Sequence, residues 1–478
     1  MDAIAEARAT SRWGARRRLP KSLRELVETG AEPSGAFLPV LVTQVELSEP
    51  LPVLVGGPAK LGGSYGTVRV LVRLHGTPLG IVVVGLDRGP VTPDELGTQI
   101  LAELDARVRA HLRLDGASGG QPGAAMTLPL STGCPTRSAP PPWEPLVSVV
   151  VCTFRRPREL DAALRALLAM DYPRFEIVLV DNAPDDPSAA ELVRDRYGRV
   201  SNLRYIAEAE PGISNARNRA LETVRGEVVA FTDDDVVVDR GWVSELVSGF
   251  DPAGKVSCVT GMTLAAELET PSQIWFEEYG AFQHGFEDML FSRHESPATT
   301  RLYPYTAGVF GAGDNMALRL SALPGPVRFD TRLGAGSAAM GGEDLDVFLS
   351  ILLGGSSILY RPAAIAWHSH RRSYPELRWQ LFGYGAGLTA LWTKWVLHDR
   401  TVALDLLRRV PGVLLPALSS RPAPGGGPTA LPLELSRLER LGLLYGPLAH
   451  LRSSLGGRRR TGSASRLAFA RPRSGKRR

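Results

Sequence analysis

With 478 residues, 44% of them hydrophobic and 22% charged, the chain has a globular composition and is too long for one ordinary core; at about 150 residues per domain it should hold two or three units. A net charge of +5 and a pI near 9.2 are modest for this length, and no aromatic-and-basic reading surface accompanies them, which argues against a nucleic-acid partner. The three cysteines, Cys134, Cys152 and Cys258, have no metal-ligand spacing and fit a reduced, cytoplasmic compartment.

Arg8, Arg12, Arg16, Arg17, Arg18 and Lys21 crowd the first segment, which has no apolar stretch and does not read as a secretory signal. Val68 to Leu74 and Leu79 to Leu86 are apolar runs on either side of His75-Gly76-Thr77-Pro78, the pattern of a hairpin. Thr92-Pro93-Asp94-Glu95 then opens a helix that should reach about Leu112: the threonine can cap, the proline suits the first turn, and Glu95 completes a capping box. Residues 1–115 are therefore expected to form a small α+β domain. Gly62, Gly63 and Gly66 lack a following Lys-Ser or Lys-Thr, so they are not read as a phosphate loop. Residues 116–145, rich in Gly, Pro, Ser and Thr, read as a linker.

Beyond the linker, strands and helices alternate, which predicts a largely parallel, doubly wound sheet. Strands are expected at Val147 to Cys152, Phe175 to Val180, Leu203 to Ile206 and Glu227 to Thr232, with helices at Arg158 to Met170, Ala189 to Tyr197 and Ser214 to Val224. In such sheets ligands bind beyond the carboxyl ends of the strands, and Thr153, Asp181 and Asp233 stand at such ends. Asp233 opens the triplet Asp233-Asp234-Asp235. Clustered carboxylates repel unless a cation or hydrogen-bond donors compensate them, and alternation along an extended segment would turn Asp233 and Asp235 to one side and Asp234 to the other. A solvated turn is the other reading. Gly341-Gly342-Glu343-Asp344 stands at the head of an apolar helix, Val347 to Leu353, where acids also serve as ordinary complements to the helix dipole.

The order and spacing of five segments resemble the family 2 glycosyltransferases of the GT-A fold, over roughly residues 147–394: Val147 to Thr153 with Arg155, Val178 to Asn182, Gly212 to Asn218, Phe231 to Asp235, and Gly341 to Asp346. The resemblance implies an α/β architecture in which residues 146–395 form a GT-A-type doubly wound mixed sheet and residues 396–478 a helical, basic extension. It implies Thr153, Arg155 and Asp181 for base and ribose contacts, chemistry that suits a carboxylate accepting hydrogen bonds and an arginine complementing phosphate. Asp233 and Asp234 would face the nucleotide, and Arg217 would orient phosphate or tie its helix to neighbouring loops. Asp235, with Asp233 and His368, would hold Mg²⁺ or Mn²⁺ bridging the diphosphate. Asp344 looks like the general base of an inverting single displacement, positioned by Glu343. Asp314 and Asn315 would line the acceptor side or cap a tight loop, and His370 would be a surface residue.

The implied partners are a nucleotide-diphosphate sugar and a hydroxyl acceptor: a glycan, a lipid-linked sugar or a small molecule. A retaining transferase on the same fold and a catalytically idle nucleotide-sugar scaffold stay open as alternatives. Trp275, Phe276, Tyr279, Phe282 and Phe286 recur at helical spacing, as an acceptor platform or a core face. Trp379, Phe382, Tyr384, Trp392 and Trp395, with a basic terminus that holds no acid from Gly456 onward, suggest an interfacial segment at an anionic membrane, so the protein is expected to be peripheral at the inner face of the cell membrane. The apolar run Val410 to Leu418 is far short of the roughly 20 residues needed to span a bilayer.

Overall fold

The computed structural model describes residues 19–33, 37–115, 143–280, 282, 284–295, 300–306, 308–410 and 431–457. The basic first segment, nearly all of the expected linker with Cys134, the stretch from Pro411 to Leu418 and the basic tail from residue 458 lie outside the described residues.

A short helix, α1 (Lys21–Glu28), precedes a small sheet of β1 (Val40–Glu46), β2 (Thr67–Leu74) and β3 (Thr77–Gly85), in which β2 is parallel to β1 and antiparallel to β3. Val68, Val70, Val72 and Leu74 of β2 are fully buried, and they meet Leu96, Ile100, Leu104 and Val108 of α2 (Pro93–Leu114). A strand period of two and a helix stripe at i, i+4, i+8 and i+12 thus close one core. Thr92 and Glu95 form the expected capping box at the start of α2.

The remainder is built on a nine-stranded mixed sheet. β4 (Val147–Thr153), β5 (Phe175–Asp181), β6 (Leu203–Ala207) and β7 (Val228–Asp233) are parallel, in the order β7-β4-β5-β6. Their crossovers run through α3 (Pro157–Leu168), α4 (Ser188–Leu192, continued by a π-helical turn at Val193–Tyr197) and α5 (Ile213–Leu221). All of β4 is buried, as a strand covered on both faces should be. Val150 and Cys152 enter one core with Val178 and Phe231, while Val149 and Val151 enter the other with Leu160 and Leu164. Because β4 has β5 on one side and β7 on the other, the chain leaves it in opposite directions and a crevice opens at the carboxyl ends.

Next come β8 (Val236–Val238), α6 (Trp242–Ser248), β9 (Val256–Ala265), α7 (Pro271–Tyr279), β10 (Met289–Phe291), β11 (Met316–Arg319), α8 (Glu343–Leu353) and β12 (Ser357–His368). β11 lies antiparallel between β7 and β9, which makes the sheet mixed. β12 runs parallel to β9 and ends at His368.

Helices α9 (Tyr374–His398), α10 (Arg400–Arg409) and α11 (Leu433–Gly457) follow. Of the five α9 aromatics expected at a membrane, Phe382 (0% exposed) and Trp392 (8%) are core residues, whereas Trp379, Tyr384 and Trp395 are partly buried against the helical core. Trp275 and Phe276 share that core. Among the described residues no helix is long and apolar enough to cross a membrane.

Candidate active site

The carboxyl ends of β4 and β7, the loop around Gly313, the start of α8 and the inner side of α9 surround a cavity of about 630 Å³. β7 ends at Asp233, and Asp234 and Asp235 form a turn, so the alternation expected of an extended triplet stops there. Asp233 and Asp234 stand on the cavity wall. Asp234 accepts from the Thr153 hydroxyl at 2.9 Å. Asp235 is buried, with its Oδ2 3.0 Å from Arg156 Nη1, 3.5 Å from Arg371 Nη1 and 3.7 Å from His368 Nε2. Arg156, Arg371 and His368 all reach the cavity.

Arg217, on α5, is buried and donates to Glu343 Oε1 at 3.2 Å, to the Gly313 carbonyl at 3.0 Å and to Asp233 Oδ1 at 3.4 Å. Burial works against its charge, but Asp233 and Glu343 outweigh that and hold the guanidinium pKa above its ordinary value. Glu343 is pushed up to about 7, by burial first and then by Asp344, against the pull of Arg217. Asp314 is pushed up to about 8, by burial and then by the charges of Asp233 and Asp235. Its Oδ1 receives a long contact of 3.5 Å from the Thr263 hydroxyl, and its Oδ2 has no hydrogen-bond partner among the described residues.

Six carboxylates (Asp233, Asp234, Asp235, Asp314, Glu343 and Asp344) therefore share this region with the three guanidiniums of Arg156, Arg217 and Arg371. Asp233 and Asp235 are hard oxygen donors of the kind a divalent cation like Mg²⁺ or Mn²⁺ takes in small number, completing its shell with water and phosphate oxygens.

Gly342, the N-cap of α8, has φ 89°, and a Cβ there would come 2.8 Å from the Gly387 carbonyl oxygen of α9. Both the backbone conformation and the close approach require glycine, and together they present the first turn of α8 to the cavity. Asp344 Oδ2 accepts from the Gly313 N–H at 3.0 Å and its Oδ1 from the Leu345 N–H at 2.8 Å, which fixes the carboxylate between the loop and the helix. Asp346 turns away, accepting from Lys394 Nζ at 2.5 Å and Trp395 Nε1 at 2.9 Å, and fastens α8 to α9.

Several expected site residues do not line this cavity. Asp181 is one strand over from Thr153, off the cavity wall; its carboxylate accepts from the Tyr205 hydroxyl at 2.7 Å and the Ala183 N–H at 2.9 Å, and burial raises its pKa. Arg155, at φ 57°, turns outward to pair with Asp185, and the arginine that meets the carboxylates is Arg156. Asn315 is 0% exposed, and its side chain is engaged by three other elements. Trp242 Nε1 donates to its Oδ1 at 2.8 Å, and its amide donates to the Met262 and Ala364 carbonyls at 3.1 and 3.0 Å. Asn218 ties α5 to Phe329 by two backbone bonds of 2.8 Å each. His370 is buried rather than on the surface: its Nδ1 is 2.9 Å from His368 Nδ1 and its Nε2 3.0 Å from Glu277 Oε2. The outer wall carries Tyr279, Trp379, Tyr384 and Glu439, from α7, α9 and α11, and the Tyr279 hydroxyl donates to Glu439 at 2.6 Å. No motif announces the contribution of α11; it exists only through helix packing.

Residues 148–319 match the family described as Glycosyl transferase family 2, a match that ends before Glu343 and Asp344. The chain is 30% identical over 254 residues to the succinoglycan biosynthesis protein ExoM of Rhizobium meliloti (strain 1021), an overlap of 47% of this chain and 71% of that one. It is 26% identical over 151 residues to a glucosyl-dolichyl phosphate glucuronosyltransferase of Haloferax volcanii, covering 30% of this chain and 48% of that protein. Among solved structures, the mannosyltransferase PcManGT from Pyrobaculum calidifontis, in complex with GDP-Man and Mn2+, aligns at 17% identity with a TM-score of 0.43, over 73% of this chain and 96% of that one.

Proposed function

The chain belongs to the family 2 glycosyltransferases, and from that membership we propose an inverting, metal-dependent transfer of a sugar from a nucleotide-diphosphate donor to a hydroxyl of a glycan, lipid-linked or small-molecule acceptor. One observation carries the reading: two acidic pairs far apart in sequence, Asp233-Asp234 and Glu343-Asp344, face one cavity and are bridged by Arg217.

In this reading Asp235, with Asp233 and His368, would hold Mg²⁺ or Mn²⁺, which would supply charge neutralisation for the departing diphosphate. Arg156 and Arg371 stand where they can meet phosphate oxygens. Thr153 orients Asp234 on the nucleotide side, and Asp181 with Tyr205 offers a polar pair for base or ribose. Asp344 is the base. It reaches the cavity, and its two backbone donors hold it in one orientation. The acceptor oxygen attacks the anomeric carbon as the bond to the diphosphate breaks, the acceptor proton passes to Asp344, and the configuration inverts. Glu343, buried and tied to Arg217, positions its neighbour. Asp314, whose carboxyl retains its proton to about 8, offers a donor to a sugar hydroxyl.

An anionic membrane surface is a second proposed partner. Leu397, Leu404, Leu407, Leu444 and Leu448 are exposed on α9, α10 and α11, in a chain whose terminus is basic. Protein that stays in the supernatant with anionic vesicles would exclude it.

The transfer reading is tested by incubating UDP-, GDP- and TDP-sugars with Mg²⁺ or Mn²⁺ and reading the anomer of the product by NMR. Asp344→Asn should bind donor like the wild type and transfer about 10²- to 10⁴-fold more slowly. Wild-type turnover by that variant, or a product of retained configuration, overturns the mechanism.

A further inference from the structure

Away from the cavity, His75, His111 and Asp115 meet head to head. His75 Nδ1 lies 2.8 Å from Asp115 Oδ2 and 3.2 Å from His111 Nε2, and His111 Nε2 lies 3.1 Å from the same Asp115 oxygen. Among the described residues this is the one group of three His, Cys, Asp or Glu side chains whose ligand atoms all lie within 4.8 Å of one another. The side chains are only 7%, 12% and 3% exposed, and none of them lines the transferase cavity.

The backbone aims these groups independently of one another. His111 and Asp115 are spaced i, i+4 at the end of α2, so both lie on one face. His75 sits in the hairpin turn between β2 and β3, where its own N–H and that of Gly76 donate to Glu46 at 2.8 and 2.7 Å, while Arg73 donates to the Gly76 carbonyl. The turn is therefore fixed by bonds that do not involve the imidazole, and its ring points at the helix end.

Among themselves, the three facing atoms are poorly matched as hydrogen-bond partners. If both facing nitrogens carry protons, both converge on one oxygen at an acute angle; if only one does, the lone pair of the other faces that oxygen. A cation at the centre removes the conflict. Zinc-class ions bind imidazole nitrogen and carboxylate oxygen at about 2.0–2.2 Å in tetrahedral geometry, which sets ligand atoms about 3.3 Å apart. The observed edges of 2.8, 3.1 and 3.2 Å lie close to that spacing. Imidazole donors also select zinc-class ions over Mg²⁺ or Ca²⁺.

We propose that His75 Nδ1, His111 Nε2 and Asp115 Oδ2 bind a divalent ion of the zinc class. The ion cross-links the hairpin turn to the end of α2, closing chain segments of 36 and 40 residues around the small core. This site is chemically separate from the hard-cation site proposed in the cavity.

The test uses the full chain, without a polyhistidine tag, loaded with Zn²⁺ and dialysed against metal-free buffer. Mass spectrometry of the metal content should find about one zinc per chain, and Co²⁺ in its place should give the strong visible bands of a tetrahedral site. Zn²⁺ should also raise the melting temperature. His111→Gln should lose the metal and the melting shift, whereas the cavity variant Asp233→Asn should keep both. Wild-type protein without stoichiometric zinc or tetrahedral Co²⁺ bands overturns the proposal. So does zinc that a folded His111→Gln retains, or that Asp233→Asn loses. If His111→Gln does not fold, the Co²⁺ spectrum of the wild type decides.

Discussion

Arg217 donates to Glu343 at 3.2 Å across 126 residues of chain, and the pair is buried. It joins the helix after β6 to the first turn of α8, so a buried guanidinium ties two walls of the cavity to each other. Removing one partner of a buried pair leaves the other uncompensated. Arg217→Met should therefore destabilise the fold by about 3 kcal/mol, the low end of the usual range, because Glu343 can take up a proton instead. Denaturant unfolding measures this, and adding Glu343→Gln should recover part of the loss. A double variant no more stable than Arg217→Met would deny the coupling.

Asp314 and Glu343 set a pH response in the metal-free protein. Their ordinary values are 3.8 and 4.5, and the fold raises them to about 8 and about 7. Between those limits the folded chain keeps protons that the unfolded chain has released, so stability falls with rising pH. The contribution is complete below about pH 4 and gone above about pH 8. In a chelating buffer, Asp314→Asn should melt above the wild type near neutral and alkaline pH, and the difference should shrink towards pH 4. Melting curves across that range check it; a difference independent of pH would show that Asp314 does not hold its proton.

The strand ends are legible because β4, β5 and β7 are largely apolar runs that stop at polar residues, and this puts Asp233 at a carboxyl edge; Arg217, Glu343 and Asp344 are expected near it only from the family resemblance, and they line the same cavity. Directions are not legible where a single backbone angle or a distant partner decides them. Arg155 and Arg156 are indistinguishable as letters, and it is φ 57° at Arg155 that sends one outward and the other to Asp235. Asn315 sits in an apparent acceptor loop, but its partners on α6, β9 and β12 are contributed by remote sequence. Phe382 and Trp392 of α9 suit a lipid interface until packing with other helices covers them. His75 and Asp115, 40 residues apart, carry no motif at all.

Asn315 should accordingly behave as a stability residue. Asn315→Ala strands the Trp242 N–H and the carbonyls of Met262 and Ala364 inside the sheet. Each buried group left unpaired costs about 1–3 kcal/mol, so a total loss of at least about 3 kcal/mol is expected in urea unfolding. The donor affinity of the folded fraction should stay unchanged. A variant as stable as the wild type with impaired acceptor use would restore Asn315 to the acceptor side.

Asp235 Oδ2 is engaged by Arg156 at 3.0 Å and Arg371 at 3.5 Å, so under the proposed function cation binding and diphosphate binding should be interdependent. A lone cation approaching Asp235 competes with two guanidiniums that already compensate the carboxylate. A nucleoside diphosphate changes both terms, since its oxygens attract the arginines and also supply hard ligands to the cation. Each ligand should thus tighten the other, reciprocally and by about 5- to 150-fold. Calorimetric titration of UDP, GDP or TDP in Mg²⁺ and in chelator measures the ratio, corrected for the complex formed in free solution. Mg²⁺ is the appropriate ion because it disfavours imidazole and leaves the His75 and His111 cluster unloaded. In Asp235→Asn the ratio should fall close to one while the diphosphate still binds through Arg156 and Arg371. Equal affinity in Mg²⁺ and in chelator for the wild type would remove the cation from the site, and an undiminished ratio in Asp235→Asn would move it to another carboxylate.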